Sequence, residues 1–290
     1  MPILLEAIEK ERTLHSWNLE LIMVDDGSSD NSFAMMKQLH TSYPYIRGFR
    51  LSRNFGHQAA VRTGLSLCQG DYIAIIDDDL QDPPSLLPGF FKYLDEGFDV
   101  AYGVRRKRKE SWFKVYAYNA FYRILKILSD IDMPLDTGDF CVMKKEVVKQ
   151  MLQLSEQNPF LRGIRAWVGF KQTGVEYERS ERLAGESGYS IKKLFKIAFD
   201  GIFSFSRVPL RIITILGTLG LIITVSYTSY ILIKYFSIGV VQPGFVTLII
   251  MIMFFGSLNL ACVGILGEYI SRIYSETQRR PHAIIAECID

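Results

Sequence analysis

Between Lys234 and Glu268 the chain carries no Asp, Glu, Lys or Arg. An uncharged run of that length leaves few folding options. Crossing the hydrocarbon core of a bilayer takes about 20 apolar residues in a helix. Two segments meet this length: residues 212–233, IITILGTLGLIITVSYTSYILI, and residues 245–266, FVTLIIMIMFFGSLNLACVGIL. Arg207 and Arg211 precede the first, and Arg272, Arg279 and Arg280 follow the second. Lys234 is the only charge in the link between them. The positive-inside rule therefore predicts two membrane spans with both flanks cytoplasmic and the link outside. Immediately before them, residues 190–207 place Ile191, Leu194, Phe195, Ala198, Ile202 and Phe205 on one helical face, with Lys192, Lys193 and Lys196 off it. That pattern predicts an amphipathic helix lying on anionic lipid.

Upstream of these segments the pattern changes period. Short apolar runs, LELIMV, IRGFRL, DYIAII and FDVAYGV, alternate with helical stretches such as HQAAVRTGLSLC and FFKYLDEG. This alternation predicts an α/β domain with a mostly parallel sheet and helices on both faces. The first residues, MPILLEAIEKERTLHSW, read as a charged amphipathic helix rather than a secretory signal. Three regions result: an α/β domain over residues 1–189, the juxtamembrane helix over 190–208, and a two-span region with a short tail over 209–290. The formal charge of +2 gives no reason to expect a nucleic-acid partner. Cys68, Cys141, Cys262 and Cys288 show neither metal-ligand spacing nor a disulfide framework, in keeping with a reducing cytoplasm.

The chemistry concentrates where strands end. LELIMV runs into Asp25 and Asp26, and DYIAII into Asp77, Asp78 and Asp79. Ligands of such sheets bind beyond the carboxyl ends of the strands, so the two acidic clusters are expected to converge on one site. Adjacent carboxylates repel, and a divalent cation would relieve the repulsion. Asp77 and Asp79 offer hard oxygens suited to Mg²⁺ or Mn²⁺, with Gln81 as a further ligand or a support. Arg53, Arg105, Arg179 and Arg182 fall in expected loops, where guanidinium forks bind phosphate. His57 reads as a surface or packing histidine.

The strings VDDGSSDNS, LSRNFGHQAAVRTGL, GDYIAIIDDDLQDPP, DTGDFCVM, RLAGESGYSIKKL and GEYISRIYSETQRRP occur in that order. Together they resemble the polyprenyl-phosphate glycosyltransferases, inverting family 2 enzymes of GT-A type related to dolichol-phosphate mannose synthase. The two-span bacterial branch, the bactoprenol glucosyltransferases, is the nearest in pattern. The resemblance implies a Rossmann-like GT-A domain and a membrane enzyme moving a hexose, with glucose from a UDP-sugar as the first choice, to undecaprenyl phosphate. It implies that Asp25, Asp26, Asp77, Asp78, Arg105 and Arg182 bind the donor, and that Asp77, Asp79 and Gln81 hold Mg²⁺ or Mn²⁺. Asp139 corresponds to the acidic residue near the anomeric carbon. Ser187, Tyr189 and Lys192 correspond to residues that meet the acceptor phosphate or lipid. A homo-tetramer in the inner membrane, with catalytic domain and both termini cytoplasmic, is also implied. A phosphate monoester loses its second proton near pH ~6, so Asp139 has little need to act as a strong base and is better suited to orienting the acceptor or to stabilising positive charge developing on the sugar ring.

Two departures qualify the resemblance. Relatives open with a strand and a VIPVYNE-like loop that are lacking before MPILLEAIEKE, which predicts an interrupted sheet and a weakened donor site. Gly188 stands where many relatives carry lysine. The alternative is a catalytically impaired homologue acting as a membrane scaffold or assembly partner. A processive polysaccharide synthase is disfavoured, because GIRAWVGF lacks the Gln of the acceptor motif of those enzymes.

Overall fold

The computed structural model of the chain describes residues 1–106, 137–154, 156, 160–178, 208–238 and 244–290. It divides into two compact units. The first holds residues 1–126, 131–192 and 279–290, and the second residues 127–130 and 193–278.

In the first unit, helix α1 (Pro2–His15) buries Leu4, Leu5 and Ile8 on one stripe, as its spacing requires. Strand β1 (Leu21–Asp25), helix α2 (Ser32–Ser42), strand β2 (Ile46–Leu51), helix α3 (His57–Leu67) and strand β3 (Tyr72–Ile75) follow in the expected alternation. After a 3₁₀ turn (Pro84–Leu86) come helix α4 (Leu87–Asp95) and strand β4 (Val100–Arg106). Strand β5 (Thr137–Lys144), helix α5 (Lys145–Gln153), helix α6 (Leu161–Trp167) and strand β6 (Gln172–Glu178) complete this series.

Two sheets form. One has the order β1-β2-β7, where β7 is Ile285–Ile289; the other has the order β3-β5-β4-β6. β1 and β2 are parallel, and β7 joins β2 antiparallel. In the second sheet β3, β4 and β6 point one way and β5 runs between β3 and β4 in the opposite direction. Both described sheets are thus mixed: the β1–β2 and β4–β6 ladders are parallel, and the three made by β5 and β7 are antiparallel. Among the described residues β1 pairs only with β2, and β3 only with β5, so the sheet is interrupted between β1 and β3. Helix α3 spans the interruption: its Gly64 lies against Val24 of β1, and its Leu65 shares a core cluster with Ile73 of β3.

β5 sets the layers. Side chains alternate across a strand. Cys141 and Met143 pack with Leu65 of α3, Val147, Val148 and Met151 of α5, and Ile164 of α6. Phe140 and Val142 pack on the other face with Leu87, Phe90 and Leu94 of α4 and Tyr177 of β6. Helices therefore cover both faces of the central strand, in keeping with its apolar run Phe140–Met143.

The tail beyond residue 278 was expected to be a short appendage of the spans. Instead, it supplies β7 to the first unit. Gly48 of β2 makes room for it: a Cβ there would sit 2.9 Å from Cδ1 of Ile289. Helices α7 (Val208–Ile238) and α8 (Phe245–Thr277) make up the described part of the second unit. Both contain stretches long and apolar enough to cross a membrane, at Ile212–Tyr230 and Met251–Thr277. Large apolar side chains such as Leu221, Ile233, Phe254 and Leu260 stand exposed on them. The expected helix over residues 190–207 lies outside the described residues.

Phe90 is fully buried, with its ring 4.9 Å from that of Phe140. Phe90→Ala is expected to destabilise the first unit by about 3–5 kcal/mol, read as a lowered unfolding midpoint of detergent-purified protein followed by tryptophan fluorescence.

Candidate active site

The end of β1 is tied down by its own carboxylates. Asp25 is buried; its Oδ1 accepts the Ser28 amide at 2.9 Å, and its Oδ2 lies 3.5 Å from Nε of Arg50. Asp26 accepts the amides of Phe55 at 2.7 Å and Gly56 at 2.9 Å, one with each oxygen. These charge-assisted bonds fix the loop that leads into α3. Gly27 lets the two segments touch. Its φ is +66°, and a Cβ would lie 2.5 Å from the backbone carbon of Arg53. Asp25 and Asp26, expected to bind the donor, here hold together the loops over residues 25–28 and 53–56.

α3 begins at His57, directly after that loop. Its Nε2 lies 3.1 Å from Oδ2 of Asp139 and 3.9 Å from Oδ1 of Asp77. Gln58 donates from Nε2 to the same Oδ2 of Asp139 at 3.1 Å, and its Oε1 accepts the Leu161 amide at 3.0 Å. From α6, Nε of Arg162 lies 3.2 Å from Oδ1 of Asp139. The alternation of β5 explains this gathering: Asp139 has the parity of Cys141 and Met143, the face covered by α3 and α6. The two acidic clusters are linked through residues 55–57, since Asp26 holds Phe55 and Gly56 and His57 reaches Asp77.

Electrostatics follow from the contacts. Burial pushes the Asp139 pKa up, but the His57 hydrogen bond and the charges of Arg162, His57 and Arg165 outweigh it and hold Asp139 at about 2. The hydrogen bond to Asp139 raises the pKa of His57 above its ordinary value, against the opposing effect of burial. Asp77 is raised, chiefly by burial; the His57 charge works the other way, and the neighbouring Asp139, Asp82 and Asp79 reinforce the rise.

The DDDLQD segment is a tight turn. Asp79 Oδ1 accepts the Gln81 amide at 3.1 Å, across Leu80, whose φ of +59° is unusual for a residue with a side chain. Gln81 is buried. Asp82 is fully buried and accepts the hydroxyl of Tyr177 from β6. Asp78 is exposed. Among the described residues, no group of three or more His, Cys, Asp or Glu is gathered to hold a metal. Arg105 lies on β4 opposite Tyr177, and its side chain is outside the described residues, as are Arg182, Ser187, Tyr189 and Lys192.

Sequence reasoning missed three contributors. His57, taken as a surface or packing residue, contacts Asp139. Gln58 and Arg162 drew no functional reading. The available signal was LRGIRAW, whose arginines at i and i+3 share one helical face. Arg165 is buried, with its guanidinium 4.9 Å from the centre of the Tyr102 ring.

The described site is thus a set of carboxylates at strand ends, one of them, Asp139, held by His57, Gln58 and Arg162. The model for Glycosyl transferase family 2 matches residues 2–152, and the chain belongs to that family. It is 43% identical over 270 residues to the uncharacterized glycosyltransferase YkcC of Bacillus subtilis, covering 92% of this chain and 83% of the relative. It is 34% identical over 286 residues to the prophage bactoprenol glucosyl transferase homolog of Escherichia coli, covering 98% and 94%. A solved mannosyltransferase from Pyrobaculum calidifontis, in complex with GDP-Man and Mn²⁺, overlaps 69% of this chain and 59% of its own, with a TM-score of 0.43 and 17% identity. That overlap is too loose to transfer any residue.

Gly27→Ala is expected to cost about 1–3 kcal/mol, because it forces a side chain into a left-handed backbone against Arg53. Thermal unfolding of the purified variant beside the parent protein measures it.

Proposed function

We propose that this glycosyltransferase moves a hexose, with glucose as the first choice, from a UDP-sugar to a polyprenyl phosphate at the cytoplasmic face of a membrane. The observation that carries the reading is the clamp of His57, Gln58 and Arg162 on Asp139, next to Asp77 at the neighbouring strand end. Whole-length similarity to proteins named bactoprenol glucosyl transferase supports the acceptor class.

In this reading an oxygen of the acceptor phosphate attacks C1 of the sugar, the C1–oxygen bond to the diphosphate breaks, and configuration inverts. Asp139, held near pKa 2, is a poor proton acceptor at neutral pH. Its role is to orient the acceptor and to oppose positive charge developing on the ring. Asp77 and Asp79 fit a divalent cation that shares its shell with substrate phosphates, since Mg²⁺ is commonly held by one or two carboxylates plus phosphate oxygens. When bound there, Mg²⁺ or Mn²⁺ supplies charge neutralisation to the departing diphosphate. Arg105 and Arg182 are proposed to meet the diphosphate as well, and Ser187, Tyr189 and Lys192 the acceptor.

Strand pairing is compatible with two membrane spans. β7 follows α8 in the chain, yet it pairs with β2, which precedes α7. A sheet cannot be hydrogen-bonded across a bilayer, so the chain between these strands crosses an even number of times. Two spans satisfy this, and in this reading a cytosolic nucleotide-sugar donor calls for the sheet to lie on the cytoplasmic side. A silent scaffold is the second reading, favoured by the interruption between β1 and β3.

Asp79→Asn is expected to lower transfer of labelled glucose to undecaprenyl phosphate by at least ~10²-fold, with weakened response to Mg²⁺ or Mn²⁺. Full turnover in the variant would refute the metal assignment, and no turnover in the parent chain at any metal concentration would favour the scaffold. Cysteine-accessibility labelling is expected to find position 239 outside and position 290 inside; both on one side would sink the two-span topology.

A further inference from the structure

The segment after the second apolar helix does more than end the chain. β7 pairs with β2 over Gly48↔Ile289, Phe49↔Cys288, Arg50↔Glu287 and Leu51↔Ile285, and the Ser52 amide donates to the carbonyl of Ile284 at 2.9 Å. In this ladder Arg50 and Glu287 are direct partners, and Nη1 of Arg50 lies 3.3 Å from Oε1 of Glu287. The same guanidinium donates from Nη2 to the carbonyl of Ser28 at 3.2 Å, and its Nε lies 3.5 Å from Oδ2 of Asp25. One fork therefore joins three acceptors: the buried carboxylate at the end of β1, the backbone of the loop that follows, and a carboxylate on β7.

The consequence is electrostatic. The side chain of Asp25 is 1% exposed, and Oδ2 has no hydrogen-bond partner, so the nearby Arg50 charge is what offsets its burial. Arg50 itself is more than a third exposed, and an exposed long side chain has rotamers that point away from the loop. Glu287 restrains it from the outer side. We propose that Glu287 is a positioning residue for the donor loop, acting through Arg50, so that the strand following the membrane hairpin forms part of the nucleoside-diphosphate site. This rests on the reading of residues 25–28 as that loop. Lys37 also meets Glu287, at 3.2 Å, but it stands on α2, with its Nζ over the Phe33 ring.

The test compares the full chain with Glu287→Gln, with Lys37→Met, and with a chain lacking residues 285–290. Two readouts are taken: hydrogen exchange at the amides of Ser28, Phe55 and Gly56, and calorimetric binding of UDP with Mn²⁺ alongside donor and acceptor KM. Glu287→Gln keeps the shape of the side chain and removes an exposed pair, so faster exchange at Ser28 and a two- to fivefold rise in UDP Kd and donor KM are expected. Acceptor KM is expected to stay within about twofold, and Lys37→Met to match the parent in every readout. Loss of β7 is expected to raise donor KM about tenfold or more. Unchanged exchange at Ser28 in Glu287→Gln overturns the proposal, whatever the ligand. Faster exchange with unchanged UDP affinity overturns the donor role of the loop and leaves the transferase reading to be judged on transfer itself. Equal effects on donor and acceptor KM also overturn the proposal, since they mark general destabilisation.

Discussion

A carboxylate withdrawn from water has to be paired, and in this protein that requirement organises everything around the site. Asp25 is offset by Arg50, Asp26 by the amides of Phe55 and Gly56, Asp82 by the Tyr177 hydroxyl, and Asp139 by His57, Gln58 and Arg162. Each partner comes from a different part of the chain. Satisfying the carboxylates therefore fastens β1 to β2, the start of α3 to the loop after β1, the DDDLQD turn to β6, and β5 to α3 and α6. The acidic strand ends that look repulsive in sequence act as the fasteners of the fold.

The same pairings tune the chemistry. A carboxylate that receives two amide or imidazole hydrogens on one oxygen and faces a guanidinium on the other is held ionised and fixed in direction. It is suited to holding a substrate and to opposing developing positive charge, and poorly suited to taking up a proton. Asp77, raised by burial and by its acidic neighbours, is the complementary case. A group whose ionised form is unfavourable gains most from a nearby cation.

The two long apolar helices and the strands of the first unit are interleaved along the chain. The apolar helices lie between β6 and β7, so the first unit closes only after both have been made. Ion pairs from Lys37, Arg47 and Arg50 to Glu287 and Asp290 reinforce the closing strand, and each is exposed enough to contribute little alone. The hydrogen-bonded ladder with β2, rather than the charges, carries the attachment.

Local periodicity was sufficient for most elements. IRGFRL is β2 to the residue, HQAAVRTGLSL is α3, and the 3.6-residue spacing of MPILLEAIEKERTLH is α1. The uncharged runs marked the two long helices, because twenty apolar residues admit few alternatives. Motif order identified the family, and strand ends located the carboxylates. What sequence alone did not reveal depends on contacts between distant residues. His57 reads in sequence as a surface or packing histidine; only the antiparallel entry of β5 between β3 and β4 brings Asp139 to it. Arg162 lies 23 positions beyond Asp139 in the chain, with no local pattern to join them. IAECI after the second helix is too short to announce itself as a strand, and its pairing arises from the open edge of β2 and the space above Gly48. Periodicity and composition act over neighbours in the chain and so determined the elements, the two apolar helices and the family. Pairing of charges and strand edges acts over neighbours in space, so only the tertiary structure decided which side chains surround Asp139 and which strand completes the sheet.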